Sequence, residues 1–456
     1  MYLTEVLAEH IATIAGRKPP PEVRDVVMRC ILDLIGAALA GHRSNGPAAA
    51  RQAAPKIFGS GRAPIWLAGQ TSTSAGAIFC NAAAACALDI DDGHRAARGH
   101  PGSGVVTTAL TLGAASGSGA DDVIAAIVAG YDVGVRVAAA QNPSGIPTRQ
   151  SGRWISMATA ATAAALFKLE PPAVAEALSI AGVLAPNQQA NGSSGYSTLT
   201  GNDVKEGIAW SSAAGVMAIE LARYGHTGPL DLLDHSGFYD PHRILAGLGQ
   251  RWEISETYFK PYACCRYIHP ALDRLLELVE RHHVKPGHIV SIDIQTFGWA
   301  LRLGNRLEPE NLVEVQYSLP YCVAIAIVDG ADALLPITTA CLRRPDLIDL
   351  AAKVRLSVHG DADHLFPSET LARVVIETRK TTLVSDLGGA LGDPRMPLLW
   401  HGLEAKFRRL TRTTMTVSDQ QAWLDAILTL AAGDEKPLFC ELANNRQSIP
   451  VVQSSC

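Results

Sequence analysis

Alanine and other small residues at helical spacing dominate the first 260 or so residues of this chain, and they restrict its fold more than any other feature. GAIFCNAAAACALD, SGVVTTALTLGAASG, ADDVIAAIVAGYDVGVRVAAA, SMATAATAAALFKL and PPAVAEALSIAGVLA all have this composition. Alanine has the highest intrinsic helix propensity, and small side chains let helix axes approach closely. This part of the chain therefore reads as a compact all-helical domain with helix packed on helix. Residues 21–40, PEVRDVVMRCILDLIGAALA, follow a proline run and stop at Gly41, with apolar residues at helical intervals; they predict an amphipathic helix.

The character changes near Gly287. HIVSIDIQTF, KVRLSVHGD and ARVVIETRKTTLVS carry β-branched alternation bounded by Gly, Pro and Asp, interleaved with the helical stretches SLPYCVAIAIVDG and PDLIDLAAK. Residues from about 270 to 395 read as a smaller α+β domain, and GLEAKFRRL and SDQQAWLDAILTLAA as helices beyond it. A chain of 456 residues is longer than single cores usually support, which agrees with two domains.

Forty-four acids against 39 bases, evenly spread, give a formal charge of −5, which offers no electrostatic footprint for nucleic acid or an anionic membrane. The N-terminal stretch MYLTEVLAEHIATIAGRK has Glu5 and Glu9 within its apolar pattern and no basic leader, so a cytoplasmic location is expected. Asp33, Lys168 and Asp329 interrupt the most apolar runs, which argues against a membrane span. Nine scattered cysteines without CxxC pairs fit reduced thiols and argue against a zinc site or an iron–sulfur cluster. GxGxxG after a strand, GxxxxGK[ST] and GxSxG are all missing, and the loop begun at Asp89 has His100 where a calcium loop needs its closing glutamate. Chemistry must come from side chains directly.

Three constellations could carry it. LDIDDGHRAARGHPGSG crowds Asp89, Asp91, Asp92, two histidines and two arginines into a turn-rich segment after a helix. It reads either as a solvated acidic turn paired with Arg95 and Arg98, or as a site where a carboxylate orients His100. In GNDVKEGIAWSSAAGVMAIELARYGHTGP, Asp203 and Glu206 stand at capping-box spacing, which puts Lys205 in the first helical turn, against the dipole. YFKPYACCRYIHPALDRL gathers Lys260, Arg266 and His269, with Cys264 and Cys265 reading as buried small hydrophobes. Tyr317 and Tyr321, four apart, are expected to share a helix face.

These blocks, in this order, resemble the MmgE/PrpD family. LDIDDGHRAARGHPGSGVV is similar to its LDxDD…HPG block and VKEGIAWSSAAGVMAIELARYGHTGP to its lysine helix and G[FH]TGP. FKPYACCRYIHPALD resembles its KPYPCCRxxHxxID block; YSLPYCVAIAIVDG and ILDLIGAALAG match two further segments. The likeness runs from about residue 5 to about residue 445. It implies a mainly α protein: a large all-helical domain built from both chain ends, residues 1–268 and 396–456, plus a smaller α+β lid domain, residues 269–395, with the site between them. It also implies a homodimer and no metal or organic cofactor. Motif by motif, the functional aspartate falls on Asp89, the histidine on His100, the lysines on Lys205 and Lys260, and the tyrosine on Tyr321. Asp92, His94, Arg149, Arg153, Arg266, His269 and Tyr317 are expected to contact substrate. DDGH replaces the frequent DDTW, and the family's histidine ahead of the alanine-rich helix has no match, its nearest polar candidates being Arg149 and Arg153.

The family includes 2-methylcitrate dehydratase, cis-aconitate decarboxylase and iminodisuccinate epimerase, whose reactions share negative charge developing on carbon beside a carboxylate. Such chemistry needs a base or acid tuned to the working pH, and fixed cations around the developing charge. The expected activity is a 2-methylcitrate dehydratase-like lyase on a di- or tricarboxylate, with His100 as acid/base oriented by Asp89. An epimerase is the rival, and a non-catalytic helical binding protein the third class; the last predicts that Lys205, Lys260 and His100 lie far apart.

Overall fold

The computed structural model describes residues 1–148, 150–186 and 202–444. Helices dominate it. Pro21–Gly41 forms as a single helix, opened by proline at its first position. Ser74–Cys86, Pro101–Ser116, Ala120–Ala140, Gly152–Leu166, Pro171–Leu184 and Ile208–Arg223 follow, packed face to face. Small residues permit that closeness: a Cβ on Gly134 would come 2.5 Å from the Ala158 Cβ, and one on Gly215 2.1 Å from the Ser156 carbonyl oxygen. Length and hydropathy alone would let Ala120–Ala140 cross a membrane, but its most apolar window is 94% buried inside the protein. Asp132 on that helix takes hydrogen bonds from His10 at 2.7 Å and Arg136 at 3.0 Å, so its buried charges are paired.

The helices Trp400–Thr411 and Val417–Ala431 return to this core, where Phe407, Trp423 and Leu424 pack with residues of the N-terminal helices. Two short antiparallel pairs interrupt the helical pattern expected there, Ala63–Ile65 with Gln70–Ser72 and Gly93–His94 with Thr257–Tyr258. The second pair matters for the site, since it ties the His94 segment to the approach to Lys260.

A separate core is built around a four-stranded mixed sheet. Its central strand Ile289–Thr296 runs parallel to Val354–Val358 and antiparallel to Ala372–Thr378, which pairs with the edge strand Thr382–Val384. Alternation puts Ile292, Ile294, Val374 and Ile376 on the buried face, against Leu272 and Leu275 of helix His269–His282 and against helix Leu319–Val328. Ala37, Ile90 and Leu410 of the helical part pack into the same cluster. The eight described cysteines are all unpaired thiols.

One buried lysine fixes the polar segment that follows Cys86. Lys406 Nζ donates to Asp33 Oδ1 and to the Ile90 carbonyl, both at 2.6 Å, clamping helices Pro21–Gly41 and Trp400–Thr411 to that segment. We expect Lys406→Ala to cost about 3–5 kcal/mol of stability, because Asp33 is left buried without its countercharge. Unfolding by denaturant measures this; a loss below about 1 kcal/mol would show that the anchor does not carry the segment.

Candidate active site

The three aspartates after helix Ser74–Cys86 are all buried, which overturns the solvated-turn reading. Each has a different partner. Asp92 faces the helical core: its Oδ1 accepts the Gly102 N–H at 2.9 Å and its Oδ2 the Tyr131 hydroxyl. Asp91 accepts the Ser103 hydroxyl at 2.5 Å and lies 3.4 Å from His100 Nδ1. Asp89, with a left-handed backbone (φ 55°), lies between two ammonium groups, Lys205 Nζ at 3.0 Å and Lys260 Nζ at 3.3 Å. Lys260 also donates to the Asp89 carbonyl at 2.9 Å and is fully buried.

Lys205 reaches Asp89 by a route that spacing did not show. The expected capping box is not formed; residues 205–207 make a short turn with φ of 44°, 57° and 72°, and the α-helix starts only at Ile208. Glu206 instead accepts the Ser151 N–H at 3.0 Å and hydroxyl at 2.8 Å. Non-glycine residues rarely adopt this conformation, and such strain gathers where the surroundings dictate a side chain's direction. Here it aims Lys205 at Asp89 and over the Tyr317 ring, 5.3 Å from its centroid.

His100 caps helix Pro101–Ser116. Its Nδ1–H donates to the Asp92 carbonyl at 3.1 Å, and its Nε2 lies 3.7 Å from Asp89 Oδ1. The carboxylate nearest Nδ1 is therefore Asp91, not the Asp89 expected to orient the ring. Burial and Lys260 push the imidazole pKa down, but Asp91 and Asp89 more than offset them and raise it above the ordinary histidine value. Burial would raise the Asp89 carboxyl, yet Lys205, Lys260 and His100 hold it at about 2. Asp92 goes the other way, pushed up to about 7 by burial and by Asp33 and Asp91, against its hydrogen bond from Tyr131. Burial opposes the charge on Lys205, but Asp89 carries its pKa well above the usual value.

Asp89 and His100 open onto a cavity of about 410 Å³. His94, Arg266 and Tyr317 line it, together with Tyr258, Cys265, Arg95, Arg98, Trp299, Arg302 and Phe366. His94 Nε2 donates to the Glu253 carbonyl at 3.0 Å, and burial lowers its pKa to about 4, so the ring is neutral. Arg266 lies over the Tyr258 ring and pairs with Asp393 at 2.8 Å. Burial pushes the Cys265 thiol up to about 12, which disables it as a nucleophile near neutrality.

Four assignments to substrate contact or catalysis need correction. Asp92 points into the core as described. Arg153 donates to the Gly182 carbonyl at 2.9 Å and to the Tyr239 hydroxyl, away from the cavity wall. His269 lies behind Arg266, its Nδ1 accepting from that guanidinium at 3.3 Å and its Nε2–H donating to the Cys264 carbonyl, so it positions Arg266 rather than touching the cavity. Tyr321 is buried with its hydroxyl donating to the Cys341 carbonyl at 2.6 Å, off the cavity wall. It shares no helix face with Tyr317, because Ser318 caps a new helix between them. Arg149 lies outside the described residues.

Sequence reasoning missed Arg302 and Gln316, which nothing in their local pattern marks, and treated Arg95 and Arg98 only as partners for the aspartates. Gln316 Oε1 accepts from Lys205 at 3.4 Å. Asp89, Asp91 and His100 offer three ligand atoms within 4.8 Å of one another. Those atoms already face two ammonium groups, a serine hydroxyl and one another, so the donor set suits the lysine cations better than a metal ion. Lys205, Lys260 and His100 converge on one carboxylate, contrary to what a mere binding scaffold predicts.

Residues 5–243 match the MmgE/PrpD N-terminal domain and residues 262–432 the MmgE/PrpD C-terminal domain. Among curated proteins the chain is similar to cis-aconitate decarboxylase of Aspergillus terreus, 25% identical across 99% of this chain and 97% of that protein. The protein of the same name from Aspergillus terreus strain NIH 2624 / FGSC A1156 matches to the same degree.

The reassigned Asp92 has a pH signature. A carboxyl raised from 3.8 to about 7 binds more protons folded than unfolded, so its contribution to stability is lost as pH rises through that interval. We expect Asp92→Asn, a neutral isostere, to remove this part of the pH dependence between about 4 and 7 and to retain activity within a few-fold. Melting curves of both proteins across that range test it; parallel curves would return Asp92 to an ionised role.

Proposed function

The chain belongs to the MmgE/PrpD family, and from that premise we propose a lyase that acts on a di- or tricarboxylate with His100 as the proton carrier. The observation that carries this reading is the buried His100–Asp89–Lys205–Lys260 cluster at the edge of a cavity walled by arginines. Asp91 and Asp89 favour the protonated imidazole, so His100 keeps its donor proton to a higher pH than an ordinary histidine does. When carbon dioxide leaves, the electron pair of the broken carbon–carbon bond remains on the substrate and takes that proton. When water leaves, the departing hydroxyl takes it, and a base accepts the proton from carbon. In either case charge developing beside a carboxylate meets the fixed field of Lys205 and Lys260 in a water-poor site.

Dehydration of a hydroxylated polycarboxylate, as by 2-methylcitrate dehydratase, and decarboxylation of an unsaturated one, as the name of the fungal relative states, are the two forms of this activity. A two-base epimerase, like a dehydration, needs a second group near neutrality to take a proton from carbon, whereas decarboxylation needs His100 alone. The neutral His94, the Tyr258 and Tyr317 hydroxyls, both raised far above neutrality by burial, and the Cys265 thiol do not supply it.

Proton NMR in D2O with 2-methylcitrate, citrate, cis-aconitate and each iminodisuccinate stereoisomer tests the proposal. New vinylic signals or loss of a carboxylate are expected; inversion with deuterium uptake and no elimination would establish an epimerase, and silence on all substrates would refute the assignment. On the active substrate, His100→Ala is expected to lower kcat/KM by about 10²- to 10⁴-fold with the fold intact. Because the acting form is protonated and its pKa is raised, kcat/KM of the wild type should fall as pH climbs through the imidazole pKa, at a pH above that of an ordinary histidine. A profile that rises across neutrality would make His100 a base instead.

A further inference from the structure

Four arginines line the cavity, and their charges are balanced unequally. Arg95 and Arg266 share Asp393, at 2.5 and 2.8 Å, and each is further held by backbone carbonyls: Ser368 for Arg95, Ala390 and Leu391 for Arg266. Arg98 and Arg302 have no carboxylate partner among the described residues. Each lies over an aromatic face instead, Arg98 5.7 Å from the Phe366 centroid and Arg302 4.7 Å from that of Trp299. Those two rings are stacked, 6.4 Å apart and inclined by 26°. Each guanidinium thus lies against one ring of this aromatic pair, with Trp299 and Arg302 exposed at the cavity rim.

A ring face takes up the flat side of a guanidinium and leaves its in-plane N–H fork free, the geometry that a carboxylate matches with two parallel hydrogen bonds. Arg98 is also held in a left-handed conformation (φ 52°), uncommon for a residue with a Cβ, in the turn that leads to His100. Arg302 comes from the other side of the cavity, just after helix Gly298–Leu301, so one anion bound by both would join the helical part to the sheet part. The cavity wall also includes Tyr258 and Tyr317, whose rings suit a hydrocarbon link.

We propose that Arg98 and Arg302 are the specificity-determining residues of the site and bind the substrate carboxylate most remote from the carbon that His100 serves. The inference rests on the lyase reading above. It selects substrates with at least two carboxylates separated by a short carbon chain, and it places the second charge at the aromatic rim.

Tricarballylate, a saturated tricarboxylate that can lose neither water nor a vinylogous carboxylate, separates binding from chemistry. Calorimetric titration of the full chain is expected to show wild-type binding, with butyrate at least tenfold weaker. Arg98→Gln and Arg302→Gln should each weaken tricarballylate about tenfold or more and leave butyrate unchanged, with the Lys variants intermediate because they keep the charge and lose the fork. On the active substrate the same variants should raise KM more than they lower kcat, whereas Arg281→Gln, on the outer surface, should change neither. Wild-type affinity for tricarballylate in both Gln variants, or equal affinity of the wild type for butyrate, would overturn the clamp and leave the lyase reading standing. No binding of tricarballylate to the wild type would overturn both. If a Gln variant fails to fold by circular dichroism, its Lys counterpart decides: undiminished affinity there, together with an unchanged KM, refutes the fork.

Discussion

The carboxylate of Asp89, out of water and between the ammonium groups of Lys205 and Lys260, is the interaction on which the rest of the site depends. A buried carboxylate alone would be strongly unfavourable, and so would either buried lysine. Together they hold three segments that are distant in sequence. The left-handed backbones at Asp89 and Lys205 fit this view, because an unfavourable conformation persists where surrounding contacts over-determine it. His100 sits at the edge of the group, close enough for Asp89 to favour its protonated form.

Neighbouring aspartates in one short segment acquire different electrostatics from what each faces. Asp89 is drawn down to about 2 by cations, whereas Asp92, which faces the helical core, is pushed up to about 7 by burial and by Asp33 and Asp91. Pushing the pKa values of like groups apart lets them serve different purposes. Asp92 anchors the start of helix Pro101–Ser116, Asp91 braces the imidazole, and Asp89 holds the lysines. Lys406 fixes the same segment from below through the Ile90 carbonyl.

The helices were legible because alanine propensity and apolar spacing are local, and the strands because β-branched alternation is local too; Pro21–Gly41 and Ile289–Thr296 follow their patterns closely. Asp89, His100, Lys205 and Lys260 were legible as a set only through the resemblance of whole blocks, since no spacing rule brings residues 89, 205 and 260 together. Local rules failed where a tertiary partner won. Glu206 left its capping position for Ser151, and Ser318 ended one helix and began another between Tyr317 and Tyr321. Arg153 was spent on a helix-end carbonyl at Gly182. Arg302 gave no signal because its value comes from Trp299 and the cavity beside it.

The cations around the cavity act in two ways. Lys205 and Lys260 are paired with Asp89 and Lys260 has no exposed surface, so in the proposed reaction they would act chiefly through their field on charge that develops nearby. A field fixed before the reaction costs no reorganisation as the transition state forms, and it favours that state over the bound ground state. The rim arginines face open space and are able to touch a ligand directly, where they contribute to binding both states alike. Under the proposed reading, binding and chemistry are assigned to different groups of one cavity, and a change at Arg98 or Arg302 would alter which acid is accepted while the cluster around His100 keeps its arrangement.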